Sequence, residues 1–400
     1  MDKYKEVYNV IQDKVVPSKS KEAEIKKELD SFLKILKPLI SPLKVFIGGS
    51  YAKKTWLNDI KDIDLYIVFE KTKEDISKIL YEKIKTLKNL RKVYGSRDYF
   101  QVDNKKLIFE IIPIMEISKA NSALNITDIS PLHVKWVDSI NTNMNEARIL
   151  KQFLKANNLY GAESHIKGFS GYVCEILIGH YKTFHNLILS AQNWKNKEII
   201  DPENHYQTLN KSKVSALNII DPVQKERNAG AAIDIKTLTK FKELTKKFLD
   251  KPSLNFFNKK IITKKDLEKK YPKNKVIFIQ TIPLIDKPDI AGAKLLKGFN
   301  YICTQIKKAG FNIINKGWDY NSLLWIVIEG NIEKSYLYSG PKASDKIHAK
   351  AFKNKHKGWF LEDGFIKTKI IRKYSNPILY VKELIKEEYI NNKVNEINIK

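Results

Sequence analysis

Residues 46–69 read FIGGSYAKKTWLNDIKDIDLYIVF. The alternation in the second half of this stretch decides the first sheet. Side chains on a strand point to opposite faces in turn, so Asp62 and Asp64 share one face while Ile63 and Leu65 take the other. Two like charges side by side on a buried strand are costly without a counter-charge. A divalent cation supplies one, and hard carboxylate oxygens suit Mg²⁺. Upstream, Gly48-Gly49-Ser50 reads as a turn whose backbone N–H groups can approach a phosphate closely. A phosphate cradle beside paired carboxylates points to nucleotide chemistry.

A third acid lies further on. Residues 107–113, LIFEIIP, form an apolar strand interrupted only by Glu110, which shares a face with Ile108 and Ile112. A lone carboxylate inside such a strand is expensive unless ligated or paired. On neighbouring strands, Asp62, Asp64 and Glu110 would hold two metal ions about 3.5–4 Å apart. The competing reading leaves Glu110 on an exposed edge and makes the Asp pair a turn cap.

The 400 residues suffice for two to four domains, and 43% apolar with 11% aromatic residues argues for a folded chain. The net charge is +27, of which residues 251–400 carry +16 (30 basic, 14 acidic). An excess of that size suits a polyanion, nucleic acid first, although a lysine-rich proteome would give it too. Only five of the 72 basic residues are Arg: Arg91, Arg97, Arg148, Arg227 and Arg372. Where Lys is the default cation, Arg marks positions that need a planar fork of donors. Cys174 and Cys303 are single and sit in apolar helical stretches, and the seven His show no ligand spacing, which argues against a disulfide framework or a zinc site and fits a reducing cytoplasm. No apolar run is long enough to span a bilayer and no signal peptide opens the sequence, so no membrane partner is expected.

The coarse pattern is α+β. Two amphipathic helices fill 1–40, the second opening near Ser18. Strands follow at 45–47 and 63–69, a helix at 74–88, and strands at 93–95, 99–102 and 107–114. Residues 131–189 are helical, with a short strand at 216–220 and a helix at 235–249. Beyond Pro252, strands (275–280, 322–328, 336–338, 366–371) alternate with helices (290–308, 343–356, 378–388). The expected domains are 1–128 (mixed sheet), 129–252 (mostly helical) and 253–400 (basic, α/β).

GGSYAKKTWL…DIDLYIVF is similar to the G-S…D-x-D signature of the nucleotidyltransferase superfamily that includes DNA polymerase β and poly(A) polymerases. More narrowly, the chain resembles the archaeal, class I, tRNA CCA-adding enzymes. SPLHVK (130–135), RILKQFLK (148–155), YGAE (160–163), GFSGY with Cys174-Glu175 (168–175), Asp221-Pro222, Arg227-Asn228, SGP (339–341) and FLEDG (360–364) follow in the family's order. The resemblance implies a polymerase-β-like catalytic domain, a helical central domain and C-terminal RNA-binding domains. It implies that CTP and ATP donate C, C and A to the 3′ end of a tRNA lacking all or part of its CCA, with Mg²⁺ as cofactor. Self-association into a homodimer stays open. Asp62, Asp64 and Glu110 would bind metal; Gly49, Ser50 and Lys53 the phosphates; Ser130 and His133 nucleotide or ribose; Lys151 and Tyr160 the triphosphate; and Arg227 the base. The family usually has Asp at Glu110, often Thr at Ser130, and commonly Gly at Lys54.

The residues alone say less. Lys151 reads as a solvated lysine, Tyr160 as packing and His133 as a core histidine. Arg227 has a chemical argument. Cytosine and adenine each offer a ring-nitrogen acceptor beside an amine, where uracil and guanine carry N–H, so a fixed guanidinium favours C and A. Trp318, Tyr320 and Trp325 near Lys316 suggest RNA stacking, with core packing as the alternative for Trp325. Two other readings remain: a poly(A)-type or A-only terminal transferase, and a non-catalytic RNA-binding protein on the same scaffold.

Overall fold

The computed structural model describes residues 2–206, 209–284, 288–319 and 322–400. Contacts divide the chain into two compact units, Met1–Lys260 and Ile261–Lys400. No helix among the described residues is long and apolar enough to cross a membrane.

The first unit opens with α1 (Asp2–Val15) and α2 (Lys19–Ile40). Ser18 caps α2, its hydroxyl accepting from Lys21 N, a local device that stabilises a helix start by about 1 kcal/mol. Ile25, Leu29, Phe32, Leu33, Leu36 and Ile40 fall on one face of α2 and are buried. A five-stranded sheet follows: β1 (Lys44–Ile47), β2 (Asp62–Phe69), β3 (Leu90–Val93), β4 (Tyr99–Asp103) and β5 (Ile108–Met115), in the order β1-β2-β5-β4-β3. The short α3 (Gly49–Ala52) lies between β1 and β2, and α4 (Ile76–Ile84) between β2 and β3. Only β2 and β5 run parallel. Ile63, Leu65, Ile67, Phe109 and Ile111 point into one core with α2 and α4, where Phe32 stacks on Phe109 at 4.1 Å. The opposite face carries Tyr66, Ile112 and Ile114. By alternation, Asp62, Asp64 and Glu110 stand on this second face.

Helices then dominate: α5 (Ser130–Ser139), α6 (Asn145–Ala156), α7 (Gly171–Tyr181), α8 (Phe184–Ala191) and, after the short parallel strands β6 (Glu198–Ile200) and β7 (Leu217–Ile219), α9 (Ile235–Asp250). Their core includes Phe153, Phe169, Phe184, Phe241 and Phe248, and α1 contributes Val7 and Ile11 to it rather than to the sheet core.

The second unit contains α10 (Lys264–Lys270), β8 (Lys275–Pro283), α11 (Pro288–Lys308), β9 (Ile313–Trp318), β10 (Leu323–Ile328), β11 (Ser335–Lys342), α12 (Lys346–Lys355), β12 (Phe360–Glu362), β13 (Phe365–Ile371), α13 (Pro377–Leu384), α14 (Glu388–Asn391) and β14 (Val394–Ile399). Its strands form two sheets, β14-β8-β10-β9 and β11-β13-β12, antiparallel at each pairing. Of the expected stacking residues, Trp325 belongs to the core. Trp325 is 9% exposed, lies against Gly317 and donates its Nε1–H to Asn315 at 3.2 Å. Trp318 packs against a core whose centre includes Phe299 and Ile326, and Tyr320 lies outside the described residues. A tryptophan in the middle of an apolar strand buries its large surface first.

Candidate active site

The parallel register sets Asp64 opposite Glu110 and Asp62 opposite Ile108. A side-chain hydrogen bond joins the Asp64 and Glu110 carboxyls. Asp62, at the start of β2, is more exposed, and its charge adds to the repulsion on both partners. Burial, then the neighbouring Glu110 and Asp62 charges, push Asp64 up to about 7. Glu110 is also raised, by burial first, while a hydrogen bond from Gln101 acts the other way. Among the described residues no three His, Cys, Asp or Glu groups form a ready-made ion cage. What exists is a touching pair of carboxyls short of positive charge, with a third acid beside it. That donor set suits a hard divalent ion.

The glycine turn lies directly against these acids. Gly48 N donates to Asp64 O at 2.9 Å. Gly49 has φ +60, and a Cβ there would lie 1.6 Å from Asp64 Oδ2. Both the left-handed backbone and the close approach therefore require glycine. Gly49→Ala is expected to lower kcat/KM for the nucleotide about a hundredfold by displacing the acid, with a folding cost of about 1–3 kcal/mol. Parallel kinetics and denaturant unfolding check this, and unchanged kinetics would remove the turn from the site. Lys54 has φ +53, a left-handed conformation that a residue with a Cβ resists.

A cleft of about 520 Å³ opens beside the acids, lined by Ser50, Lys61, Asp62, Lys151, Lys155 and Tyr160. Lys151 is not the solvated lysine its helix suggests. Its ammonium donates to Thr55 O at 3.2 Å, Thr55 Oγ1 at 2.7 Å and Glu175 Oε1 at 2.8 Å, with the side chain 3% exposed. Lys53 reaches the other oxygen of the same carboxylate at 2.5 Å. Burial alone would raise Glu175, but Lys151 and Lys53 outweigh it and hold the carboxyl at about 2. One buried anion thus holds two cations, from the turn and from α6. Direct contact of Lys151 with a triphosphate would require exchanging its present partners. Lys61 and Lys155 are the more open cations of the cleft. Tyr160 lies under Lys155, whose Nζ is 5.7 Å from the ring centroid.

A second group surrounds Arg227. Asp221 is buried and takes Arg227 Nη1 at 2.5 Å, Tyr172 Oη at 3.2 Å and Val223 N at 3.0 Å. His133 stacks on Tyr172 at 3.9 Å. Its Nε2 is 3.5 Å from Asp221 Oδ2, a loose contact. Burial lowers His133 despite Asp221, which favours neutral imidazole near pH 7. Burial would raise Asp221, but His133 and Arg227 keep it below the usual carboxylate range. Lys53 lies 5.3 Å from the Tyr172 ring centroid, next to both groups. Ser130, at the start of α5, hydrogen-bonds Tyr66 on the acid-bearing face. All the expected site residues lie in the first unit, where Ser50, Asp62, Lys151 and Tyr160 line the cleft and Lys53 connects Glu175 to the Tyr172–Asp221–Arg227 group. The structure adds Glu175, Thr55, Tyr172, Asp221 and Gln101, to which the sequence reading gave no role. A charged residue inside the apolar helix GYVCEILIGHY was the available signal for Glu175.

Residues 29–118, which include the turn and all three acids, match the nucleotidyltransferase domain. Residues 145–258, which include Lys151, Glu175 and Arg227, match the second domain of tRNA nucleotidyltransferase. The CCA-adding enzyme of Nanoarchaeum equitans is 34% identical over 385 residues, covering 91% of this chain and 93% of the relative. That of Saccharolobus shibatae is 27% identical, covering 89% and 87%. Among solved structures, Cid1, described for its RNA terminal uridylyl transferase activity, aligns with a TM-score of 0.51 at 13% identity over 65% of this chain and 98% of its own, a likeness of fold. On this identity and coverage, the chain belongs to the archaeal CCA-adding enzymes.

Proposed function

We propose that this protein adds C, C and A to the 3′ end of tRNA from CTP and ATP without a nucleic-acid template. The observation that carries the reading is the Asp64–Glu110 carboxyl pair under the Gly48-Gly49-Ser50 turn, in a chain 34% identical to a CCA-adding enzyme. The tRNA 3′-hydroxyl attacks the α-phosphate in line and pyrophosphate leaves. Asp62, Asp64 and Glu110 would hold Mg²⁺, which supplies charge neutralisation and Lewis acidity at the reacting phosphate. Gly49 and Ser50 take the phosphates against the backbone, and Lys53, Lys151 and Tyr160 form the wall along the triphosphate. Ser130 and His133 border the nucleotide. Positioning and preset charge do most of the work in phosphoryl transfer.

Asp221 meets the requirement that the base-reading fork be fixed, since it engages one guanidinium nitrogen and is itself held by Tyr172 and Val223 N. Arg227→Ala should lower kcat/KM for CTP and ATP about ten- to a hundredfold, the worth of a hydrogen bond to a charged group. UTP should change little, so discrimination narrows. Equal losses for all nucleotides would show that Arg227 does not read the base.

The basic second unit grips the tRNA. It presents cation–aromatic pairs, Lys353 at 4.0 Å from the Trp359 ring and Arg372 at 4.3 Å from Tyr336. Backbone and shape are what A-form RNA offers a protein. The logarithm of tRNA affinity should fall linearly with the logarithm of salt concentration, and an affinity independent of salt would contradict the reading. The functional test uses tRNA lacking its terminal CCA, labelled CTP and ATP. Products three nucleotides longer and ending in A are expected, and failure to incorporate C would overturn the proposal.

A further inference from the structure

Four residues on adjacent strands stand in one row across the sheet. Asp64 on β2 faces Glu110 on β5, Glu110 faces Gln101 on β4, and Gln101 faces Arg91 on β3. Register neighbours on adjacent strands share a face. Arg91 Nη2 donates to Gln101 Oε1 at 2.6 Å, and Gln101 Nε2 donates to Glu110 Oε1 at 2.6 Å. The row thus runs from an exposed guanidinium to the carboxyl pair.

Donor chemistry gives the row a direction. A guanidinium only donates, so Arg91 claims the amide oxygen of Gln101. The amide nitrogen then has to face Glu110. Reversed, the amide would set its oxygen against a carboxylate. Gln101 thus holds one Glu110 oxygen of a carboxyl that also meets Asp64. Glu carries one more rotatable bond than Asp, so an unbraced Glu110 would sample more orientations. Arg91 is also one of five Arg in a chain that otherwise uses Lys.

We propose that Gln101 is a positioning residue for Glu110, and that Arg91 fixes the orientation of the Gln101 amide. This inference rests on the reading of Asp62, Asp64 and Glu110 as ion ligands.

The test measures Mn²⁺ binding to the full chain by calorimetry, together with the Mg²⁺ dependence of kcat and the metal-free unfolding midpoint. Glu110→Gln is the reference, and Mn²⁺ affinity unchanged by it would sink the ligand reading itself. If Glu110→Gln does weaken Mn²⁺, Gln101→Met should also do so, by about tenfold, as is usual on losing a group that orients a metal ligand. The Mg²⁺ concentration for half-maximal kcat should rise to match, while KM for tRNA stays unchanged. Arg91→Met should act in the same direction by about two- to threefold, as befits an exposed charge. In a Glu110→Asp background the shorter acid falls short of Gln101, so Gln101→Met should then have no further effect. Mn²⁺ affinity untouched by Gln101→Met, or weakened equally in both backgrounds, would overturn the proposal.

Discussion

Asp64→Asn should leave a folded protein that adds nucleotides about a thousandfold more slowly or worse, because the amide removes charge where an ion and the reacting phosphate must be stabilised. The same substitution should change how metal-free stability depends on pH. Burial and the neighbouring Glu110 and Asp62 push the Asp64 carboxyl up to about 7 from an ordinary 3.8. Between those values the folded chain binds a proton that the unfolded chain has released. Stability without metal should therefore fall as pH rises from about 4 to about 7 and level off above that. Asp64→Asn should flatten this fall. Divalent ion should stabilise the wild type at pH 8 and have much less effect on the variant, since a ligand that binds only the folded state shifts the midpoint by mass action. Unfolding midpoints across pH, with and without Mg²⁺, check each part. A wild-type slope between pH 4 and 7 that Asp64→Asn leaves unchanged would contradict the crowded-carboxylate picture.

Glu175→Gln should have the largest effect on folding. The side chain is fully enclosed and is the shared partner of Lys53 at 2.5 Å and Lys151 at 2.8 Å. Removing one member of a buried ionic group strands the others, at a cost of about 3–5 kcal/mol. Lys151 bears most of this, since Lys53 at 10% exposure is nearer to water. The double variant Glu175→Gln with Lys151→Met should recover much of the loss, because it deletes the stranded buried charge. The pH dependence has the opposite sign to that of Asp64. The Glu175 carboxyl is held at about 2 against an ordinary 4.5, so its contribution is full above about pH 4.5 and is lost as pH falls toward 2. Wild type should lose stability more steeply than Glu175→Gln over that range. Denaturant unfolding at pH 7 and pH 3 measures both effects, and a single variant as stable as the wild type at pH 7 would show that the network is not structural.

The catalytic strand was legible because alternation is a local property. DIDLYIVF placed Asp62 and Asp64 on one face, and a lone Glu110 inside LIFEIIP marked itself as unusual. That Asp64 stands opposite Glu110, with Gln101 behind it, depends on a parallel pairing between strands more than forty residues apart, which no local pattern encodes. Lys151 shows the limit most clearly. Its helix pattern favours a solvated side chain, and Thr55 and Glu175, from other parts of the chain, turn it into a buried cation. The reverse happened with Trp325, whose neighbouring lysine suggested RNA while its position in the middle of an apolar strand decided burial. In the second unit, strand and helix alternation located most elements. Nothing in it distinguished one parallel sheet from the two antiparallel ones observed.

The most direct measurement is a crystal of the protein with Mn²⁺ and a non-hydrolysable CTP analogue, located by anomalous scattering. Manganese is expected on Asp62, Asp64 and Glu110, with the triphosphate against Gly49 and Ser50. Manganese bound elsewhere, or a triphosphate away from that turn, would contradict the proposed site.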